Sequence, residues 1–174
     1  MIYDASDRVP GVELADAWRA GGWLYRKARR LDICQGFGTW KKALDWLESL
    51  GPVDSVQYWG HGSPGAVWLG GQRLDVQDLA RVKVRDLFWL RTCASFAGTP
   101  GYELAVKMSR TLGCVVAGHT HNIGLLQSGL HTIGPDETPA WSADEGLVEG
   151  KPAGSRLWLK HTITCLHGTF PGSW

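Results

Sequence analysis

Two short runs constrain this chain more than any other feature. The first is Ser55-Val56-Gln57-Tyr58-Trp59-Gly60-His61-Gly62, and the second is Asp86-Leu87-Phe88-Trp89-Leu90-Arg91-Thr92-Cys93-Ala94-Ser95. Both are rich in aromatic and β-branched residues and too short for a typical helix, so they read as buried strands. Between them Val76, Leu79, Ala80, Val82 and Val84 recur among charges at helix-like spacing, which predicts a strand–helix–strand unit with parallel neighbours. Residues just past the carboxyl ends of such strands share one crevice. His61 and Cys93 fall there, although 32 positions separate them. A base and a thiol on one rim are the parts of an activated cysteine nucleophile.

The remaining segments alternate in the same way. Ile2-Tyr3-Asp4 reads as a first strand and Asp7-Arg8-Val9-Pro10 as a turn. Val12, Leu14, Ala15 and Trp18 mark a helix that Gly21-Gly22 should stop. Ile33 to Gly38 reads as a loop. Thr39 caps a helix whose stripe is Ala43, Trp46, Leu47 and Leu50, and Gly51-Pro52 ends it. A glycine-turned hairpin is expected around Gly70-Gly71, with Asp75 capping the crossover helix. Thr99 and Pro100 start a helix that Gly113 closes, and Cys114 to Gly118 forms a third buried strand whose end carries His119-Thr120-His121, on the same rim if that strand is parallel too. Residues 124 to 154 read as one long loop, of the kind that is functional or disordered. Arg156 to Cys165 reads as a last strand, with an unstructured tail to Trp174.

Bulk composition excludes some classes. The 174 residues suit one α/β domain, 1–174. Eighteen basic and 17 acidic residues nearly cancel, giving no broad footprint for nucleic acid or an anionic membrane. No apolar run reaches membrane-spanning length, and the start lacks a leader pattern, so a cytoplasmic location is expected. The four cysteines lack metal-type spacing and are expected as thiols. Ten tryptophans are many for this length; Trp40, Trp46, Trp68, Trp141 and Trp174 are candidates to line a groove or partner surface.

The order of a hydrophobic strand, His-Gly, a second hydrophobic strand and Cys resembles the caspase–hemoglobinase superfamily of cysteine peptidases. That group includes caspases, metacaspases, legumain, gingipain, separase and CHAT domains. Tyr58 to Ser63 matches one block and Leu87 to Ser95 the other. The resemblance implies a caspase-like three-layer sandwich around a mainly parallel sheet, acting without a cofactor on a peptide or protein substrate. It leaves room for a regulatory partner or an oligomer. It implies His61 and Cys93 as a catalytic dyad and the amides of Gly62 and Cys93 as an oxyanion hole. By the same analogy, His119, His121, Gln127, Ser128, Trp141 and Asp144 border the substrate. Asp136, Glu137, Asp144 and Glu145 would then favour a basic side chain beside the scissile bond.

Two other classes remain open. Gly118-His119-Thr120-His121 also matches the Gly-His-x-His motif of calcineurin-like phosphoesterases, and His61, His119 and His121 together would suit zinc. The other blocks of that family are absent from the sequence. The third class is a non-catalytic binding or scaffold domain, because a fold does not dictate a function.

Overall fold

The computed structural model describes residues 1–6 and 14–171. The turn expected at Asp7–Pro10 and the helix start at Val12 therefore lie outside the described residues, as do the last three residues of the tail. In chain order the elements are β1 (Ile2–Asp4), α1 (Leu14–Lys27), β2 (Gln35–Phe37), α2 (Trp40–Ser49), β3 (Val53–Trp59), β4 (His61–Ser63), β5 (Ala66–Leu69) and β6 (Gln72–Arg73). A 3-10 helix (Val76–Arg81) leads to β7 (Val84–Arg91), α3 (Gly98–Leu112), β8 (Val115–His119), β9 (Leu126–Gln127), β10 (Leu130–Ile133), β11 (Leu147–Val148), β12 (Lys151–Pro152) and β13 (Ile163–Thr164).

Six strands form the central sheet in the order β10-β8-β7-β3-β1-β2. All its neighbours are parallel except β10, which returns antiparallel along β8. This is a mixed α/β fold with a mainly parallel central sheet. Both faces are covered, which is why β7 carries Phe88, Trp89 and Leu90 in succession with none exposed. On one face Val56, Tyr58, Phe88, Leu90 and Val116 pack against Trp40, Leu44, Leu104 and Met108 of α2 and α3. On the other face Tyr3 and Trp59 meet Tyr25 of α1, while Trp89 and Ala117 meet Ile163 and Phe170.

The two principal strands pair as expected, in parallel and side by side. Their crossover is not an α-helix. A three-stranded hairpin, β4-β5-β6, occupies half of it, and the 3-10 helix is only six residues long, with Val76 and Leu79 as its buried contacts. Asp75 caps it, accepting from the Gln77 amide at 3.0 Å. Thr39 caps α2 through the Lys42 amide.

Several segments differ from the sequence reading. Gly21-Gly22 do not stop α1, which continues to Lys27. A glycine inside a helix costs only about 1 kcal/mol relative to alanine, and here it allows contact: a Cβ on Gly22 would lie 2.2 Å from the Cys34 Sγ. Gln35–Phe37 is not loop but the edge strand beside β1. Thr99 does not cap α3; Ala97 holds that position without a side-chain bond, although Pro100 does sit in the first turn. The long loop contains β9, β10 and the β11-β12 hairpin. The expected last strand shrinks to Ile163–Thr164, because the sheet edge beside β8 is already taken by β10. Leu157 and Trp158 consequently stand 69% and 78% exposed.

Candidate functional site

Strand register brings the two motif ends together. Tyr58 pairs with Leu90 and Trp59 with Arg91. Two residues further along, just past the ends of β3 and β7, lie His61 and Cys93. Both line one cavity of about 410 Å³ at the carboxyl ends of β3 and β7. Its walls come from α1, from residues 123–125, and from Cys165 and Leu166; Arg91 and Gln127 close its polar side.

Cys93 is half-buried on the turn beyond β7. Its sulfur accepts from the Ile123 amide at 3.4 Å. Burial pushes the thiol above its ordinary value, and the Ile123 amide opposes that shift only in part. The resting group is therefore a thiol at neutral pH and reacts only if a base removes its proton. His61 is exposed at the rim, and its ring stands edge-on to Trp18 with centroids 5.7 Å apart.

The backbone around the thiol is tightly held. Ala94 has φ +47°, a conformation that costs a residue with a Cβ energy and is kept only where surroundings impose it. Its amide donates to the His121 carbonyl at 2.8 Å, and the Phe96 amide donates to the His119 carbonyl at 3.0 Å. Gly62 lies against the same turn: a Cβ there would meet the Cys93 carbonyl oxygen at 2.6 Å and the Thr92 Cβ at 2.8 Å. Gly62→Ala should push β4 off the turn and cost about 1–3 kcal/mol. It should also slow Cys93 alkylation, measured by denaturant melts and mass spectrometry. An unchanged melt and labelling rate would refute the close fit.

Of the residues expected to border the substrate, only Gln127 lines this cavity. His119 is fully buried. Its Nδ1–H donates to the Ser128 carbonyl at 3.1 Å, and its Nε2 has no partner among the described residues. His121 and Ser128 are also buried. Trp141 does not cover a substrate groove: it is stacked on Phe96 (5.5 Å, 5°) and His131 (4.7 Å, 17°), and donates to the Phe96 carbonyl at 3.2 Å. Asp144 is exposed elsewhere on its loop. None of Asp136, Glu137, Asp144 and Glu145 reaches the cavity, so the basis for a basic-residue preference is gone. Glu145 instead accepts from Thr120 Oγ1 at 2.9 Å and pairs with His131 Nε2 at 2.6 Å. Burial raises its carboxyl, but those partners outweigh that and hold it below the usual range.

The three-histidine metal set does not assemble either. His61 lines the cavity and His119 is sealed in the interior. Among the described residues no group of three His, Cys, Asp or Glu is placed to hold a metal ion.

Burial first, with the Arg91 charge adding to it and the Ser128 carbonyl opposing it, lowers the His119 imidazole to about 3. The unfolded chain binds a proton near pH 6.5 that the native state refuses, so stability is complete above that value. It falls as pH drops toward about 3, by up to ~1.4 kcal/mol per pH unit from this residue. Urea midpoints at pH 7.5 and pH 5 should therefore converge in His119→Gln relative to the parent. An undiminished gap would show that other groups carry the acid sensitivity.

Sequence reasoning missed Arg91. It is 2% exposed, with its guanidinium 4.1 Å from the Trp59 ring centroid and 4.5 Å from that of Trp89. Nε donates to Gln127 Oε1 at 3.0 Å, Nη1 to the His167 carbonyl at 2.7 Å and Nη2 to the Thr164 carbonyl at 3.4 Å. Gln57 Nε2 donates to the Gly168 carbonyl at 2.7 Å, and the Tyr25 hydroxyl donates to the Cys165 carbonyl. These bonds strap residues 163–168 across the sheet and so build one wall of the cavity. Its Trp-Leu-Arg context reads only as a strand end, and nothing local shows that the tail folds back over it.

No protein-family model, no curated protein and no solved structure matches the chain. Among the described residues no helix is long and apolar enough to cross a membrane.

Proposed function

We propose that the protein is a cysteine hydrolase of the caspase-like type, cutting peptide bonds of a peptide or protein substrate with His61 and Cys93. The observation that carries this reading is that the two residues line one cavity at the carboxyl ends of adjacent parallel strands. In the reaction His61 takes the Cys93 proton as the sulfur attacks the scissile carbonyl, then delivers that proton to the departing amine. Water hydrolyses the resulting thioester, with His61 again as base. By the same resemblance the amides of Gly62 and Cys93 would serve the developing oxyanion; the Ala94 amide, committed to the His121 carbonyl, does not.

Alkylation tests the dyad without knowledge of the substrate. Burial raises Cys34, Cys93 and Cys114 alike, the last up to about 11, so what should set Cys93 apart is a base beside it. Iodoacetamide should modify Cys93 faster than Cys34 or Cys114, with a rate that falls in His61→Ala. Equal labelling of the thiols, or no dependence on His61, would overturn the dyad and favour a binding domain.

A further inference from the structure

We propose that the cavity beside Cys93 is a specificity pocket for a large apolar side chain, the one adjoining the bond that is cut. The inference rests on the dyad reading and names the substrate class of that same site. The first observation is the α1 stripe. Leu14, Ala17, Trp18, Gly21, Leu24 and Tyr25 all line the cavity, and their spacing puts them on one helical face. Such a face is ordinarily pressed into a core, yet in α1 only Gly22 and Tyr25 are buried. The rest of the stripe borders open space that also contains Cys93 and His61.

Apolar surface continues around the mouth. Leu24, Leu125 and Leu166 are 48%, 79% and 66% exposed, and all three line the cavity. Clustered exposure of this kind marks a surface that another apolar group covers. The polar side offers no competing recognition. Arg91 is stacked between two indoles and donates to three internal acceptors, so its charge is directed into the protein. Among the described residues no carboxylate lines the walls. A cationic substrate side chain entering there would lose its water and meet the Arg91 charge, and an anionic one would find that guanidinium already engaged with three internal acceptors. An apolar one loses nothing comparable, and about 410 Å³ falls within the range of ordinary ligand pockets. Because the cavity contains the attacking sulfur, its occupant is the residue bonded to the reacting carbonyl.

Gly21 supplies the test. A Cβ built on it meets nothing within 4 Å, and it lines the cavity, so a larger side chain there fills the pocket without displacing its neighbours. Peptidyl chloromethyl ketones ending in Phe, Ala, Asp or Arg report pocket binding directly. The Cys93 sulfur displaces chloride, a C–S bond forms and the thiol proton leaves through His61. The Phe reagent should alkylate Cys93 at least roughly tenfold faster than the Asp or Arg reagent. The Phe-to-Ala rate ratio should fall in Gly21→Ala and fall further in Gly21→Leu, with melting temperatures no lower than the parent's. Asp or Arg reagents reacting as fast as Phe, or a ratio unmoved by Gly21→Leu in a folded variant, would overturn the pocket. A Phe preference in alkylation without hydrolysis of matching peptides would uphold the pocket and overturn the peptidase reading.

Discussion

Cys93→Ala should abolish peptide hydrolysis, and His61→Ala should slow it roughly 10²–10⁴-fold, the usual contribution of a positioned proton-transfer group. The thiol's raised pKa makes the base indispensable, because no pre-formed thiolate waits for substrate. The sign of the pH dependence follows. Alkylation by a small reagent should climb through the alkaline range and inflect above an ordinary thiol's value of about 8.5. Thiol burial also stabilises the fold at lower pH, and that stabilisation is lost as pH rises through the elevated value. Neither substitution should lower the melting temperature greatly, since His61 is exposed and Cys93 half-buried. Steady-state assays and melts on the same preparations separate catalytic loss from unfolding. Hydrolysis that survives in Cys93→Ala would end the proposal.

Arg91→Ala should cost about 3–5 kcal/mol of folding free energy, through stranded acceptors and a lost stacking cation. The opposing effect is relief from burying a charge, whose penalty is visible in a guanidinium lowered to about 10 by desolvation. The loss should prevail because alanine leaves the Gln127 oxygen and the His167 carbonyl without their donor and opens a void between two indoles. Arg91→Met fills that void and should cost less, about 1–2 kcal/mol. In a chain of this length Arg91→Ala corresponds to a drop of about 10 °C in melting temperature. It should also unfasten residues 163–168, so Cys165 should become the faster-labelled thiol. A melting temperature within a degree or two of the parent's would show that the strap is held elsewhere.

The main sheet was legible because its strands advertise themselves. Tyr58-Trp59 and Phe88-Trp89-Leu90 are apolar on both faces, as strands covered on both sides must be, and the register that unites His61 with Cys93 follows from that. The cavity was less legible. Its longest wall, the α1 stripe, runs through Gly21-Gly22, and two glycines read as a stop when the contact with Cys34 cannot be seen. His119 and His121 read as rim side chains, yet what they give the turn that carries Cys93 is their backbone carbonyls. Trp141 shows the same limit: a loop tryptophan reads as free surface until Phe96 and His131 close on either side. The tail misled in the opposite direction: Arg156 to Cys165 reads as one strand, yet only Ile163–Thr164 pairs, with β9.

The strap across the sheet also sets an order of assembly. Tyr25 and Cys165 are 140 positions apart, and Gln57 and Gly168 are 111 apart. Contacts of such separation form late, because the intervening chain must be ordered first. On the ribosome, a nascent chain emerged only past β10 would still lack the wall that Cys165 and Leu166 supply to the groove. On the proposed reading, the pocket that selects a substrate would therefore be completed after the pair that reacts with it.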